Sequence, residues 1–356
     1  MQTDNLAVDR IRQYDHACAW AGPAMAARDD WIHSLTAQEV DEIDHAVRGA
    51  IAADTDLVTM TAADFPLPTL GPTLRAIRAD LLHGCGVALL RGWCTAERTL
   101  RESATAFFGI GTHLGEPISQ NGQGHVLGHV ANLGKDYSDP TTRGYQTKAQ
   151  LRFHSDGGDI VGLLCIRPGR SGGLSQVASS TTIWNELVRR RPDLARQLQL
   201  PYWFSRVGEL SPGQPRTYQM SLFRECEGRM IAFLVQSMIE KAQAFPEVPR
   251  LTELQREALQ FVEELAGDPS VRLDMDFRPG DMQFLLNHST FHSRTAYEDW
   301  PEPERRRHLL RLWLSCEDGP ALPSNSADGP QGKTATGRPA GINLKGVERV
   351  APLAPC

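Results

Sequence analysis

The sequence predicts an α+β fold, an antiparallel barrel or sandwich of short strands with helices packed outside it. Three observations carry that reading. Short apolar strands punctuated by Gly and Pro dominate the middle and end of the chain, helical spacing dominates its start, and strands and helices never alternate long enough to build a doubly wound parallel sheet. At 356 residues the chain is one large domain or two small ones, long enough to bury a core.

Taken in order, residues 1–60 read as helical. Thr36-Ala37-Gln38-Glu39 is a capping-box pattern, followed by Val40, Ile43 and Val47 at helical spacing. Residues 70–115 read as helix, strand, helix, with a stripe from Leu74 to Leu82 and a buried strand Val87-Ala88-Leu89-Leu90 ending at Arg91-Gly92. Residues 109–148, rich in Gly, Asp, Thr and Pro, read as loops and short strands of the kind that carry active sites. Strand and turn alternate over 151–182, around Pro168-Gly169 and Gly172-Gly173. A helix is expected from about Thr181 to Leu198, strands over 200–235, an amphipathic helix over Leu251–Leu265, and strands again over 271–316. The sequence after Glu317 is linker-like or a strap lying on the domain. No internal repeat is present. The expected organisation is one domain over 1–356: an N-terminal helical extension (1–69), a core (70–316) with an insert at 200–250, and the C-terminal strap or tail (317–356).

Composition excludes several classes. A hydrophobic content of 41% with 22% charged residues places the chain among globular proteins rather than disordered ones. A formal net charge of -6 disfavours nucleic-acid binding, which wants a basic face. No apolar run approaches the roughly 18 residues of a membrane span, and Met1-Gln2-Thr3-Asp4 lacks the features of a signal peptide. The seven cysteines (Cys18, Cys85, Cys94, Cys165, Cys226, Cys316 and Cys356) are scattered, odd in number and without a CxxC pair. They read as free thiols in a reducing cytoplasm, and a cytoplasmic location is expected. A small-molecule substrate is the expected partner, with no nucleic acid and no membrane; a homo-oligomer is compatible with the sequence.

The sharpest local feature is Leu151-Arg152-Phe153-His154-Ser155-Asp156-Gly157-Gly158. On an extended strand His154 and Asp156, two apart, point to one face and supply two ligands of a 2-His-1-carboxylate metal site. Chance alone gives about one His-x-acid pair in a chain of this composition, so the context must carry the claim. His288, His292 and His308 are the candidates for a third ligand. His292 lies in Asn287-His288-Ser289-Thr290-Phe291-His292-Ser293-Arg294-Thr295, after a turn at Arg278–Asp281 and an apolar strand Met282–Leu286. His288 and His292 are four apart, so strand alternation alone does not separate them. A basic strand, Arg305 to Leu314, follows. Alternation puts Arg307, Leu309, Arg311 and Trp313 on one face and His308, Leu310, Leu312 and Leu314 on the other. Two arginines in so apolar a strand need partners, either a ligand carboxylate or an internal acid.

Together these residues resemble the taurine/2,4-D dioxygenase (TauD/TfdA) family, with clavaminate synthase-like enzymes as close relatives. These are Fe(II)/2-oxoglutarate-dependent oxygenases. The family pattern, His-x-Asp/Glu, a distant His, then an Arg a short distance on, reads here as His154-Ser155-Asp156, His292 and Arg307, with fifteen residues from His292 to Arg307. His292 is preferred over His288 on that spacing and its flanking residues. Ser175, in Gly172-Gly173-Leu174-Ser175-Gln176, matches the position that helps Arg307 hold the distal carboxylate of 2-oxoglutarate. Asn287, Ser293-Arg294-Thr295 and Arg143-Gly144-Tyr145-Gln146-Thr147 also look familial.

The resemblance covers roughly 70–316. It implies a double-stranded β-helix (jelly-roll) core with flanking helices, and Fe(II), 2-oxoglutarate and O2 as cofactor and cosubstrates. It implies oxidative decarboxylation of 2-oxoglutarate to succinate and CO2, coupled to oxidation of a C–H bond in a small anionic organic substrate. Asp156 favours hydroxylation over halogenation; desaturation, cyclisation, epimerisation or a silent metal-binding barrel are the alternatives. Arg311 reaches either the substrate's anionic group or an internal acid. Gln150, Gln146, Gln120 and Asn121 are weaker pocket candidates, and the aromatic insert is expected to build a lid or pocket wall.

Overall fold

The computed structural model describes residues 11–135, 144–207, 209–323 and 333–355. Met1 to Asp4, Arg143 and Cys356, all singled out above, lie outside the described residues.

Two sheets face each other. The strands that matter here are β1 (Ile32–Ser34), β2 (Val87–Arg91), β3 (Glu116–Pro117), β4 (Gly128–Ala131), β5 (Leu151–His154), β6 (Ile160–Arg167), β7 (Ser175–Ser179), β8 (Arg272–Met275), β9 (Met282–Leu286), β10 (Thr290–Arg294) and β11 (His308–Ser315). The larger sheet runs β1-β2-β9-β6-β11-β3, with β4 also paired to β11. The smaller runs β8-β7-β10-β5. Apart from the parallel pair β1–β2, the neighbours are antiparallel. Two stacked antiparallel sheets with helices on their outer faces make the jelly-roll core.

Strand alternation sorts the side chains into three apolar layers. The outer face of the larger sheet, with Phe284, Leu310 and Leu312, packs on Ile43, Phe107 and Phe108 of two N-terminal helices. Between the sheets lie Val161, Val177, Leu285, Leu309 and Trp313. The outer face of the smaller sheet, with Ala178 and Phe291, packs on Trp184, Leu198 and Val262.

The helices form largely where capping and periodicity place them. Thr36 accepts from the Glu39 amide and Glu39 accepts from the Thr36 amide, closing the capping box of the helix Ala37–Ala52. The remainder of the N-terminal stretch departs from expectation: around this helix the described residues hold only a short turn of helix at Gly22–Ala26 and the edge strand β1. The helix Leu100–Leu114 runs through the glycine-rich start of the stretch read as loop. Gly109 and Gly111 are there for close approach, since a Cβ on Gly109 would lie 2.3 Å from the Phe65 ring and one on Gly111 2.6 Å from Leu312. The helix expected over 181–198 is two helices, Ser180–Arg190 and Pro192–Gln199. Arg191 precedes a proline and leaves the helical region, at φ -144 and ψ 68. The strand expected to begin at Arg305 begins at His308, after a 3-10 turn at Pro303–Arg305.

The insert forms two hairpins, Pro201–Ser205 with Thr217–Ser221 and Phe223–Cys226 with Arg229–Ala232, and then a helix Gln236–Ala242. The C-terminal segment lies along the domain as a strap. Arg338, 5% exposed, pairs with the fully buried Asp159. Ile342 donates its amide to Ser119, Val350 bridges Gly124 and Val126, and the Pro352 carbonyl accepts from His129 Nε2 at 2.8 Å. Asp159 also accepts from the Cys316 amide and from His288 Nε2, each at 2.7 Å. Burial works to raise this carboxyl, but His288, Arg338 and the Cys316 amide hold it below the usual carboxylate range.

Removing one partner of a buried ion pair strands the other charge. Arg338→Ala is therefore expected to destabilise the fold by about 3–5 kcal/mol, read as a loss of unfolding free energy in a urea titration.

Candidate active site

The register of the smaller sheet assembles the site. His292 on β10 is the direct cross-strand partner of His154 on β5, so both rings leave the sheet on one face, with centroids 4.3 Å apart. A bulge follows this pair, since Arg294 pairs with Leu151. Asp156 lies two residues past His154, where the strand has ended. Its backbone amide donates to Asn287 Oδ1 at 3.2 Å, and Asn287 Nδ2 donates to the Gly158 carbonyl at 2.9 Å. One carboxamide thus ties the turn after β5 to the end of β9. Ligand atoms of His154, Asp156 and His292 all fall within 4.8 Å of one another. His292 Nε2 lies 3.8 Å from Asp156 Oδ2.

The protonation states suit a cation. Burial pushes the His292 imidazole down to about 3, keeping it neutral. Burial works to raise Asp156, but the charge of Arg311 and the two imidazoles outweigh it and hold the carboxyl down to about 2. His154 Nδ1 lies 2.9 Å from the Arg152 carbonyl, which can only accept, so Nδ1 donates there and Nε2 is the nitrogen left for a metal. Two imidazoles and a carboxylate on one face match the donor set of a non-haem Fe(II) site with open positions.

His288 is elsewhere. Its Nε2 bonds Asp159, and this takes it out of the group around Asp156. His308 is likewise committed, its Nε2 lying 2.8 Å from His129 Nδ1.

The triad opens on a cavity of about 230 Å³, walled by apolar groups such as Tyr145, Phe233, Met238, Phe277, Trp313 and Ile342. Phe233 and Met238 come from the insert, and Ile342 comes from the strap. Polar residues singled out in the sequence also line it, among them Ser175, Arg294, Arg307 and Arg311. Arg294 is tied to the Thr147 and Ala149 carbonyls. Arg307, 4% exposed, has no carboxylate within ion-pair distance among the described residues, and its Nη1 makes no hydrogen bond. It lies over the Tyr297 ring, 5.0 Å from the centroid. Gly173, at φ +74, has no side chain to crowd it; a Cβ there would lie 3.0 Å from Arg307 Nε.

Arg311 meets an internal acid. Its Nη1 lies 3.2–3.3 Å from both Asp156 oxygens, and its Nε donates to Gln120 Oε1 at 2.8 Å. The two weaker pocket candidates from the loop before β5 are not in the cavity wall. Gln150 is exposed, and Gln146 is buried beneath the neighbouring loop, where its carbonyl accepts from the Leu133 amide. Both precede the strand, so alternation does not govern where they point; Tyr145 supplies the wall instead. Gln120 stands behind Arg311. Sequence reasoning missed Ile342 and the hub Asp159, which carry no local motif. Tyr145 was within the run noted as familial.

No described cysteine lines the cavity. Burial pushes the thiols of Cys85, Cys165 and Cys316 each up to about 12, which leaves them inert.

Comparison with known proteins agrees with this geometry. The family model described as taurine catabolism dioxygenase TauD, TfdA family matches residues 53–313. FR-33289 synthase of Streptomyces rubellomurinus is 34% identical over 283 residues, 77% of this chain and 82% of that protein. The taurine hydroxylase-like protein SAT17 of Stachybotrys chartarum is 30% identical over 324 residues, 86% of this chain and 81% of that one. A crystal structure of the non-heme iron oxygenase OrfP with Fe and alpha-ketoglutaric acid is similar in fold, with TM-score 0.59 and 17% identity over 80% of this chain and 94% of that chain.

The two histidines four apart are separable by experiment. His292→Ala is expected to weaken Fe(II) binding by about 100-fold, measured by anaerobic competition against a chelator. His288→Ala is expected to leave that affinity within about threefold while lowering the melting temperature, because it uncovers Asp159.

Proposed function

The chain belongs to the TauD/TfdA dioxygenase family, and from that premise we propose that His154, Asp156 and His292 hold Fe(II) while Arg307 and Ser175 hold the distal carboxylate of 2-oxoglutarate. The observation that carries the cosubstrate reading is Arg307. A guanidinium buried to this degree without an acid is costly, and it lines the same cavity as the three metal ligands. A dicarboxylate reaching from the metal to Arg307 relieves that cost. Ser175 lines the same wall, and its hydroxyl accepts from Gln283 Nε2 at 3.4 Å, which leaves its own O–H free to turn to a carboxylate.

The protein is a dioxygenase that uses Fe(II) and 2-oxoglutarate. O2 would be the oxidant: with Fe(II) bound, it would take two electrons from 2-oxoglutarate, giving succinate and CO2, and two from a C–H bond of the substrate. The chain's own residues hold, orient and shield. The Arg152 carbonyl fixes the His154 ring, Asn287 fixes the turn that carries Asp156, and Arg311 braces the Asp156 carboxylate. Phe233 and Met238 from the insert and Ile342 from the strap close the apolar side of the cavity against water.

The substrate is a small organic molecule, and we assign its anionic group to Arg311. Arg311 lies in the cavity wall next to Asp156, and its Nη2 makes no hydrogen bond among the described residues. The names of two relatives fit an acidic substrate: the taurine hydroxylase-like protein already described, and a uridine-5'-phosphate dioxygenase from Amycolatopsis, 28% identical over 184 residues. Hydroxylation is the outcome that an intact triad carboxylate supports.

Arg307→Ala is expected to weaken 2-oxoglutarate binding to the Fe(II) protein by about 100-fold, measured by anaerobic calorimetry. Arg307→Lys is expected to recover little of it, because a point charge does not replace a planar fork. Unchanged affinity in Arg307→Ala would remove Arg307 as the cosubstrate clamp.

A further inference from the structure

His154 and Asp156 offer ligand atoms to the triad, and the residue between them is committed elsewhere. Ser155 is 2% exposed. Its amide donates to the Leu234 carbonyl at 2.8 Å, and its hydroxyl oxygen accepts from the Leu234 amide at 3.1 Å. One serine thus takes up both backbone groups of one residue of the insert.

Leu234 sits in the stretch that builds the cavity wall. Phe233 and Val235 on either side of it line the cavity, and so does Met238 in the helix that follows. Leu234 itself is 1% exposed and packs in the layer that holds Trp184 and Phe291. The amides just before it have other partners. Ala232 donates to the His288 carbonyl at 3.0 Å and Phe233 to the Leu222 carbonyl at 2.9 Å. Arg152 on β5 also reaches the insert, at Glu240, 2.6 Å away. Both of those side chains are half-exposed, and an exposed pair contributes little. The buried bonds of Ser155 are therefore the stronger tie between the ligand turn and the wall. A hydroxyl is what the place requires. The Leu234 amide needs an acceptor, and alanine at 155 would leave that buried donor unmet.

We propose that Ser155 is a positioning residue for the substrate: it joins the ligand turn to the wall at Phe233 and Val235, so that seating the metal also steadies the wall that the substrate meets. This rests on the reading that His154, Asp156 and His292 hold Fe(II). Two ligands on one ion fix the backbone of the residue between them, and the Ser155 bonds carry that order to Leu234. The coupling is reciprocal. Loss of the tie weakens metal binding by up to the factor of metal-induced protection that the wall loses.

The test follows hydrogen exchange of the Leu234 amide, by mass spectrometry of overlapping peptides from residues 232–238. The full chain is used, with and without Fe(II), under anaerobic conditions. Wild type is compared with Ser155→Ala, Ser155→Thr and Ser155→Val. Thr and Val share a shape and only Thr keeps the acceptor, which separates the hydroxyl from packing. Fe(II) is expected to slow the exchange about tenfold in wild type and Ser155→Thr, and less than about twofold in Ser155→Ala and Ser155→Val. Fe(II) affinity, measured by competition against a chelator, is expected to fall by up to about tenfold in Ser155→Ala and Ser155→Val and to be kept in Ser155→Thr. Exchange that quickens equally with and without Fe(II) in Ser155→Ala and Ser155→Val, with metal affinity unchanged, marks a serine that only supports the fold and overturns the proposal. Equal coupling in Ser155→Thr and Ser155→Val, or wild-type exchange at Leu234 that does not respond to bound Fe(II), overturns it too. Fe(II) that binds and protects His292→Ala as it does wild type overturns the metal assignment instead.

Discussion

The site depends on one register. His292 faces His154 across the smaller sheet, and a slip of one residue in β10 would turn His292 toward the outer helices and bring Phe291 or Ser293 into its place. Phe291 holds the register from the other side. It is fully buried in the layer under the helices, where Trp184 and Val262 also pack. The apolar pattern of one face thus fixes the imidazoles on the other. The cost of a slip is set by exposing that aromatic core, so it exceeds any local preference of the histidines.

A second constraint acts on the turn between β5 and β6. It holds Asp156, and side chains from distant parts of the chain restrain it. Asn287 bonds the Asp156 amide and the Gly158 carbonyl, Arg311 pairs with the Asp156 carboxylate, and Arg338 reaches Asp159 from the C-terminal strap. The strap also contributes Ile342 to the cavity wall. A segment far from the motif in sequence therefore helps to set both the ligand loop and the enclosure around it. Buried polar hubs of this kind are satisfied only in one arrangement, which makes them effective at specifying it.

Much of the site was legible in the sequence because its signals are local. The two-residue spacing of His154 and Asp156 and the alternation of Arg307, Leu309, Arg311 and Trp313 both follow from the pleat, and the structure puts all four of the latter on the cavity side. The choice between His288 and His292 was not decidable by alternation. In the structure Asp159, a carboxylate three residues beyond Asp156, claims His288 and leaves His292 beside His154 and Asp156. Gln146 and Gln150 lie outside the cavity wall, in a loop where no period tells which way a side chain points. The break at Arg191 was readable from Pro192 but was overridden by the apolar stripe on either side of it. The N-terminal stretch read as helical is helical in part, since β1 takes its conformation from pairing with β2, a partner more than fifty residues away. Arg338 and Ile342 lie in a stretch rich in Pro, Gly and Ser, and their roles come only from what they touch.

Anomalous diffraction at the iron edge, from crystals loaded anaerobically with Fe(II) and 2-oxoglutarate, tests the account most directly. The account predicts one iron peak within about 2.2 Å of His154 Nε2, an Asp156 oxygen and His292 Nε2, with the far carboxylate of 2-oxoglutarate on Arg307 and Arg311 still bonded to Gln120. Iron bound at the His129–His308 pair, or 2-oxoglutarate seated on Arg311 with Arg307 left bare, would contradict it.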